Sequence, residues 1–276
     1  MPPKADKTDP RKDLLKDLWP GQSVPLLQAL HILTRNGGLN ADSRRKLKQV
    51  QHLARLIRPA IDAALAQKDL KSEGGPVLAD LGAGKSYLGF ILYDLYFGPA
   101  GRGRVMAVEA RADLIATARK IAAEGGFDRM DLVQGTIAAA DTGPVDIVTA
   151  LHACDTATDE AILFALRHDA RYVALVPCCQ AEVARQLEGA KGPLAQLWRH
   201  PIQRREFGAH LTNVLRALYL EAHGYKVRVT ELTGLEHSLK NEFLFAERHQ
   251  LSNPRARAEF EKLAAQTGAS PKLLTF

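Results

Sequence analysis

The chain has 276 residues, of which 46% are hydrophobic and 25% are charged, a composition typical of a globular protein in water. No apolar run approaches the roughly 20 residues that a membrane-spanning helix needs, and the polar start of the sequence is not typical of a secretory signal. Three cysteines, two of them adjacent, argue against a disulfide framework and indicate the reducing cytoplasm as the compartment.

Positive charge is concentrated near the start of the chain. Residues 1–73 hold 14 lysines and arginines against 8 acidic residues, a net charge of +6, whereas residues 74–276 hold 23 of each. A localised basic excess suits a polyanionic partner such as RNA. The alternative interpretation is a solvated helix face joined to a disordered tail.

The N-terminal quarter is predicted to be helical behind a disordered tail over residues 1–12. One helix is expected from Ser23 to Gly37, and a longer one from about Asp42. Pro59 is expected to kink or interrupt the longer helix, because proline lacks the N–H that helical hydrogen bonding needs. Along this segment, basic side chains recur at helical spacing and form a predicted RNA-binding stripe, defined by Arg44, Lys48, His52 and Arg55.

The most informative stretch is Val77–Gly89, with the sequence VLADLGAGKSYLG. A short apolar run ends at Asp80, two glycines follow at Gly82 and Gly84, and an amphipathic run then begins. The pattern predicts a strand, a tight turn and a helix, a unit that binds nucleotide-like ligands at the helix N-terminus. Glycines at the turn let the backbone approach such a ligand closely.

Three ligand classes use a turn of this kind. A phosphate-binding P-loop is disfavoured, because Ala79 replaces its first glycine and Asp80 would face the phosphates. A dinucleotide site is disfavoured, because Tyr87 stands where the third glycine would allow close packing. S-adenosylmethionine (SAM) fits better: Asp80 can face its positive methionine end, and Glu109, at the end of the next strand, can accept hydrogen bonds from both ribose hydroxyls.

From Val77 onward, predicted strands alternate with predicted helices, which indicates a parallel sheet covered on both faces. The predicted strands are 77–81, 104–109, 130–134, 145–150, 171–176, 225–231 and 242–247. The predicted helices are 86–97, 111–124, 156–168, 180–189, 193–199, 205–223 and 254–266. This order predicts an α/β, Rossmann-like class I methyltransferase fold with a seven-stranded, mostly parallel sheet and an N-terminal helical extension.

The predicted order of elements divides the chain into three parts. We expect a basic helical module with its tail over residues 1–73, a SAM-binding domain over residues 74–248, and a C-terminal helix over residues 249–276.

In open parallel sheets the ligand lies across the carboxyl ends of the strands, so the residues just after each strand are the candidates for the site. The predicted cofactor-binding residues are Asp80, Gly82, Gly84, Lys85, Glu109, Ala110, Thr136 and Leu151. The predicted catalytic residues lie after the fourth and fifth strands and between the last two strands; they are His152, Asp155, Cys178, Cys179 and Lys240.

Four motifs together resemble one group of class I methyltransferases: DLGAGKSYLG, LHACDTATDEAI, VPCCQ and GLEHSLKN. The group includes eukaryotic tRNA 2′-O-methyltransferases that act on the acceptor stem, further methyltransferase-like proteins, and the C-terminal domain of a glutathione-transferase-like protein. The resemblance covers about residues 44–248 and implies a SAM fold and an RNA substrate. Two features depart from it: Gln180 replaces the usual histidine after the paired cysteines, and the zinc-binding N-terminal modules of the tRNA enzymes are not found in this sequence.

Three mechanisms are compatible with the predicted catalytic residues. The enzyme could position a hydroxyl or amine in line with the sulfonium, with Asp155, His152 or Lys240 as a base. A cysteine thiolate could instead add to a pyrimidine ring, although Ala153 replaces the proline that cytosine-C5 enzymes usually carry. Histidine and cysteine could also bind zinc, and plain packing of buried cysteines is the structural alternative. No metal is predicted.

Two other functions stay open at this point: methylation of a small molecule, and a non-catalytic RNA-binding or assembly role that retains the SAM fold.

Overall fold

The computed structural model describes residues 17–67, 74–151, 153, 155–177, 180–189, 191–232 and 242–275. Seven strands form one sheet in the order β3-β2-β1-β4-β5-β7-β6. Their bounds are β1 Val77–Leu81, β2 Arg104–Glu109, β3 Met130–Gln134, β4 Ile147–Leu151, β5 Tyr172–Val176, β6 Tyr225–Glu231 and β7 Glu242–Arg248.

Strands β1 to β5 are parallel, and β7 is antiparallel to both β5 and β6. The strand order reverses between β1 and its two neighbours, β2 on one side and β4 on the other. Such a reversal opens a crevice at the carboxyl ends of the strands. The predicted α/β fold with a seven-stranded, mostly parallel sheet is confirmed.

Helices cover both faces of this sheet. The α-helices are α1 Val24–Ala29, α2 Ala41–Ala66, α3 Tyr87–Leu92, α4 Ala112–Gly125, α5 Ala157–Arg167, α6 Glu182–Gln186, α7 Pro201–Ala222 and α8 Pro254–Thr267. A π-helical turn and a three-residue helical turn follow α3, at Tyr93–Phe97 and Gly98–Ala100, and 3-10 turns lie at Pro193–Trp198 and Lys272–Thr275.

The alternation of side chains along the strands produces the two cores. In β1, Leu78 packs on the face covered by α1 to α4, whereas Val77, Ala79 and Leu81 pack on the face covered by α5 and α7. A strand buried on both faces is usually a continuous apolar run, and β1 follows this pattern except at Asp80. A third, smaller apolar cluster joins α7 to α8.

In the N-terminal segment the predicted end of the first helix is wrong, and of the two outcomes predicted for Pro59 the interruption is wrong. Helix α1 ends at Ala29 rather than near Gly37, because His31 takes a left-handed backbone conformation, with φ of 54°, that a helix cannot continue. Helix α2 runs without interruption through Pro59. Because Pro59 has no N–H, the carbonyl of Arg55 loses its helical hydrogen-bond donor. Both residues are exposed, so water can donate to this carbonyl instead.

Helices α1 and α2 contribute buried side chains to the same apolar cluster as the sheet, among them Leu27, Leu47 and Ile57. The backbone N–H of Ser23 also donates to the carboxylate of Asp94, at 2.9 Å, which connects α1 to the turn after α3. The N-terminal segment is thus packed against the sheet, and its division as a separate module remains a prediction. Among the described residues, no helix combines the length and the apolar character needed to cross a bilayer.

Candidate functional site

The glycine turn connects β1 to α3 at the point where the strand order reverses. Gly82 and Gly84 have φ of 63° and 59°, the left-handed region that glycine enters without strain. The N–H of Ala83 donates to the carbonyl of Val108, at 3.0 Å, so the turn is fixed to the end of β2. A Cβ built at Gly84 would meet nothing within 4 Å, so the positive φ, rather than a clash, accounts for this glycine.

Asp80 lies beneath this turn and is 1% exposed. The Thr149 hydroxyl donates to one carboxylate oxygen, at 3.0 Å, and the Gly89 N–H donates to the other, at 3.2 Å. Burial raises the pKa of Asp80 to about 6, although both hydrogen bonds act in the opposite direction. Asp80 therefore connects β1, β4 and α3, and its charge titrates near pH 6.

Glu109 ends β2 and faces the turn. Its Oε2 accepts the Gly84 N–H at 2.8 Å, and its Oε1 accepts the Arg111 N–H at 3.0 Å. The guanidinium of Arg111, whose side chain is 65% exposed, adds a longer contact of 3.4 Å to Oε1. A carboxylate offers about four acceptor positions, so Glu109 keeps acceptor capacity for a ligand after these contacts are made.

These groups line one cleft of about 330 Å³, within the size range of small-molecule sites. Its described lining is Asp80, Gly82, Ala83, Gly84, Lys85, Tyr87, Leu88, Glu109, Arg111 and Leu151. Six predicted cofactor residues are brought together here: Asp80, Gly82, Gly84, Lys85, Glu109 and Leu151.

Two predicted cofactor residues do not line the cleft. Ala110 is exposed next to Glu109, and the Thr136 hydroxyl accepts the Ala139 N–H at 3.3 Å. Sequence reasoning missed Ala83, Tyr87, Leu88 and Arg111 as lining residues. Proximity to the two acids was the only signal available for them, since none is of a residue type that identifies a ligand.

The carboxylate acceptors in the cleft suit the polar groups of SAM. A ribose diol needs a carboxylate with free lone pairs beside a glycine turn, and Glu109 meets that need at the Gly84 N–H. The positive methionine end needs nearby negative charge, which Asp80 supplies when it is ionised.

Asp155 has its carboxylate engaged by three donors. The N–H groups of Ala181 and Glu182 donate to Oδ1, at 3.0 and 3.1 Å, and Arg185 donates to Oδ2 at 3.1 Å. Partial burial raises the pKa of Asp155, but these hydrogen bonds and the Arg185 charge outweigh it and hold the pKa below its usual value. The carboxylate thus connects the loop after β4 to the start of α6. The other predicted catalytic residues, His152, Cys178, Cys179 and Lys240, lie outside the described residues, as does Cys154.

A buried arginine that sequence reasoning missed connects the loops around this edge of the sheet. Arg216 of α7 is 1% exposed and forms a two-point ion pair with Asp159 of α5, at 2.8 and 2.9 Å. It also donates to the carbonyl of Asp155 at 2.8 Å and to Asn213 Oδ1 at 3.2 Å. The pairing of Arg216 with Asp159 spans 57 positions of sequence, and no local pattern could reveal it.

A metal centre gains no support from the described part of the chain, where no group of three or more histidine, cysteine or acidic side chains could hold an ion. The zinc alternative depended on His152, Cys154, Cys178 and Cys179, which lie outside that part.

The predicted basic stripe lies on α2, where Arg44, Lys48 and Arg55 are exposed. Arg44 pairs with Asp17 at 3.2 Å, and the guanidinium of Arg55 lies 5.6 Å from the centre of the Trp19 ring. His52 is half-buried, and burial together with the Arg55 charge lowers its pKa, so it adds little positive charge at neutral pH.

A comparison with family models gives one match: a family described as a methyltransferase domain matches residues 45–186, just over half of the chain. No curated protein sequence matches the chain significantly.

Three solved structures of methyltransferases match the chain, and the first of them, with a TM-score above 0.5, is similar in fold. A candidate O-methyltransferase from Klebsiella pneumoniae is 18% identical, with a TM-score of 0.51 over 87% of this chain and 96% of the other. A methyltransferase from Geobacter sulfurreducens is 18% identical, with a TM-score of 0.45 over 88% of this chain and 99% of the other. An rRNA methylase from Streptococcus thermophilus is 11% identical, with a TM-score of 0.46 over 71% of this chain and 95% of the other.

Proposed function

Because the chain belongs to the methyltransferase domain family matched above, we propose that it transfers the methyl group of SAM to RNA. One observation supports the cofactor most strongly: the Glu109 carboxylate accepts the Gly84 N–H of the glycine turn at 2.8 Å and keeps acceptor positions facing the cleft. In this proposal the Glu109 carboxylate and the glycine turn contact the same ligand.

In this proposal Glu109 accepts hydrogen bonds from the ribose hydroxyls, and Asp80 places negative charge beneath the methionine end. When bound, SAM supplies a methyl group activated by its sulfonium. The chain contributes mainly by orienting the acceptor in line with that methyl group, since fixed orientation of two reactants removes much of the entropic barrier.

The acceptor side is assigned to the loops after β4 and β5 and before β7. His152 and Lys240 are the proposed bases, and Cys178 and Cys179 are the proposed nucleophiles should the acceptor be a pyrimidine ring. We assign Asp155 a positioning role instead of a basic one, because three hydrogen bonds hold its carboxylate between two loops and its lowered pKa makes it a weaker base.

RNA is proposed as the substrate because Arg44, Lys48 and Arg55 are exposed at helical spacing on α2. In this proposal the reaction takes place in the cytoplasm, which the small number of cysteines, two of them adjacent, supports.

The test of the cofactor assignment is isothermal titration calorimetry with SAM on the wild type and Glu109→Ala. Loss of hydrogen bonds to a charged acceptor should weaken binding by about 1.5–3 kcal/mol. Glu124→Ala is the matched control, because Glu124 is exposed on α4 and pairs only loosely with Lys120, at 3.8 Å. Equal affinity of wild type and Glu109→Ala would show that the carboxylate is not a cofactor ligand.

A further inference from the structure

The hydrogen bonds around Asn213 have a fixed direction. Arg216 can only donate, so the Asn213 atom that faces it at 3.2 Å is the oxygen Oδ1. The amide nitrogen Nδ2 then faces Glu242 and donates to its Oε2 at 2.6 Å. Charged groups at both ends therefore determine which way the Asn213 amide points.

This direction extends to Gln180. The Gln180 nitrogen Nε2 donates to Asn213 Oδ1 at 2.9 Å, so the Gln180 oxygen Oε1 is left on the other side. Gln180 is 4% exposed, and among the described residues Oε1 has no donor. A buried acceptor without a donor is unfavourable, and in native proteins such atoms usually meet water or a ligand.

Gln180 lines a second cleft, of about 200 Å³, between the end of β5, helix α7 and the start of β7. The other lining residues are Pro177, Glu206, Ala209, His210, Asn213 and Glu242. Two carboxylates and an unpartnered amide oxygen make this lining rich in acceptors. Arg205 pairs with Glu206 at 3.0 Å, and His210 lies 3.4 Å from Glu242. The acceptor of this lining that is left without a donor among the described residues is Gln180 Oε1, which suits a hydrogen-bond donor such as an amino group.

The second cleft lies beside the cofactor cleft. Leu151, which lines the cofactor cleft, pairs with Val176 in the register of β4 and β5. Pro177, the next residue, lines the second cleft. Neighbouring strands are about 4.8 Å apart, so both clefts open on the same edge of the sheet.

We propose that the cleft lined by Gln180 is the subsite for the amino group of a nucleobase in the RNA acceptor, with Gln180 Oε1 as the accepting atom. This inference rests on the proposed function and narrows it: adenine, cytosine and guanine carry an exocyclic amino group, whereas uracil does not. Glu242 and Glu206 add acceptors at the rim of the same subsite.

The test is fluorescence anisotropy with short oligo(A), oligo(C) and oligo(U), using the full-length protein in the presence of SAM. The wild type should bind oligo(A) or oligo(C) at least about tenfold more tightly than oligo(U), the factor expected when a buried acceptor loses its donor. Gln180→Leu, which removes the acceptor, should reduce that preference to within about twofold. Gln180→Glu, which keeps an acceptor, should retain it.

Gln186→Leu is the matched control, because Gln186 lies on α6 and bonds Ser270 outside the cleft. SAM affinity and thermal unfolding of each variant show whether the fold is intact. Equal binding of all three oligonucleotides by the wild type, or a preference that persists in Gln180→Leu, overturns the subsite. Failure to bind any of the three overturns the RNA substrate itself, which is a distinguishable result.

Discussion

Asp80 lies beneath the glycine turn, where sequence reasoning had placed an acid facing the ligand. Its raised pKa, about 6, means that the folded protein holds a proton that an unfolded chain, with a pKa of 3.8, has already lost. Binding of this proton therefore stabilises the folded state fully below about pH 4, and this stabilisation is lost as the pH rises through 6.

The Asn substitution isolates that contribution. Between pH 4 and 6.5, the free energy of unfolding of the wild type should fall relative to that of Asp80→Asn by roughly 2 kcal/mol, since each pKa unit corresponds to about 1.4 kcal/mol and part of the shift lies outside this range. Urea-induced unfolding of both proteins across this range measures the difference. Parallel pH profiles would contradict the buried position of the carboxylate.

At the residue scale, the cleft at the glycine turn could be predicted and the second cleft could not. Asp80, Gly82, Gly84 and Glu109 lie within one local pattern of strands and turn, which places them at the carboxyl edge without any knowledge of packing. The orientation of the Gln180 amide depends on Asn213 and Arg216, which lie 33 and 36 positions further along the chain. Such contacts depend on how helices pack across the sheet, and no spacing encodes them.

At the scale of elements, α2 shows why a local rule failed. Proline inside a helix removes one hydrogen bond, yet the helix continues because Leu53, Ala54, Ile57, Ala60 and Ile61 are all buried against the core. Tertiary packing on both sides of Pro59 outweighs its local preference to end the helix.

Replacing this proline should therefore stabilise the protein. Pro59→Ala restores an N–H to the helix, a gain of up to about 3 kcal/mol, and loses about 1 kcal/mol through the greater freedom of the unfolded chain. We expect a net gain of roughly 1–2 kcal/mol in urea-induced unfolding. Pro254→Ala is the control: Pro254 opens α8, where proline is tolerated, and the change should give no gain. A loss of stability in Pro59→Ala would contradict a continuous α2.

The strands were predicted to within about two residues because buried strands read as apolar runs bounded by turn residues. Helix ends were predicted less well. Helix α7 begins at Pro201, several residues before its predicted start, because proline is favoured in the first helical turn. The π-helical turn at Tyr93–Phe97 has no sequence signature that distinguishes it from the helix that precedes it.

At the scale of the whole molecule, charge is distributed unevenly over a nearly neutral catalytic fold. The net charge of +6 lies before residue 74, and helix α2 carries six basic residues against two acidic ones. The helices that carry this charge share an apolar core with the sheet, so the basic surface is fixed in position relative to the cofactor cleft. An RNA bound to α2 would therefore meet the acceptor loops in a defined orientation.

The most direct measurement is transfer of labelled methyl groups from SAM to RNA purified from cells that lack this gene, followed by mass spectrometry of the nucleosides. The account predicts label in a nucleoside of that RNA. It also predicts a rate at least about tenfold lower for the triple variant Arg44→Glu, Lys48→Glu and Arg55→Glu, because phosphate contacts dominate RNA affinity.

The control triple variant is Lys120→Glu, Arg255→Glu and Lys262→Glu, which makes the same change in net charge at exposed positions of α4 and α8. It should transfer label within about twofold of the wild-type rate, since only distant charges change. Absence of label in RNA from a protein that binds SAM, or equal rates for the two triple variants, would contradict the account.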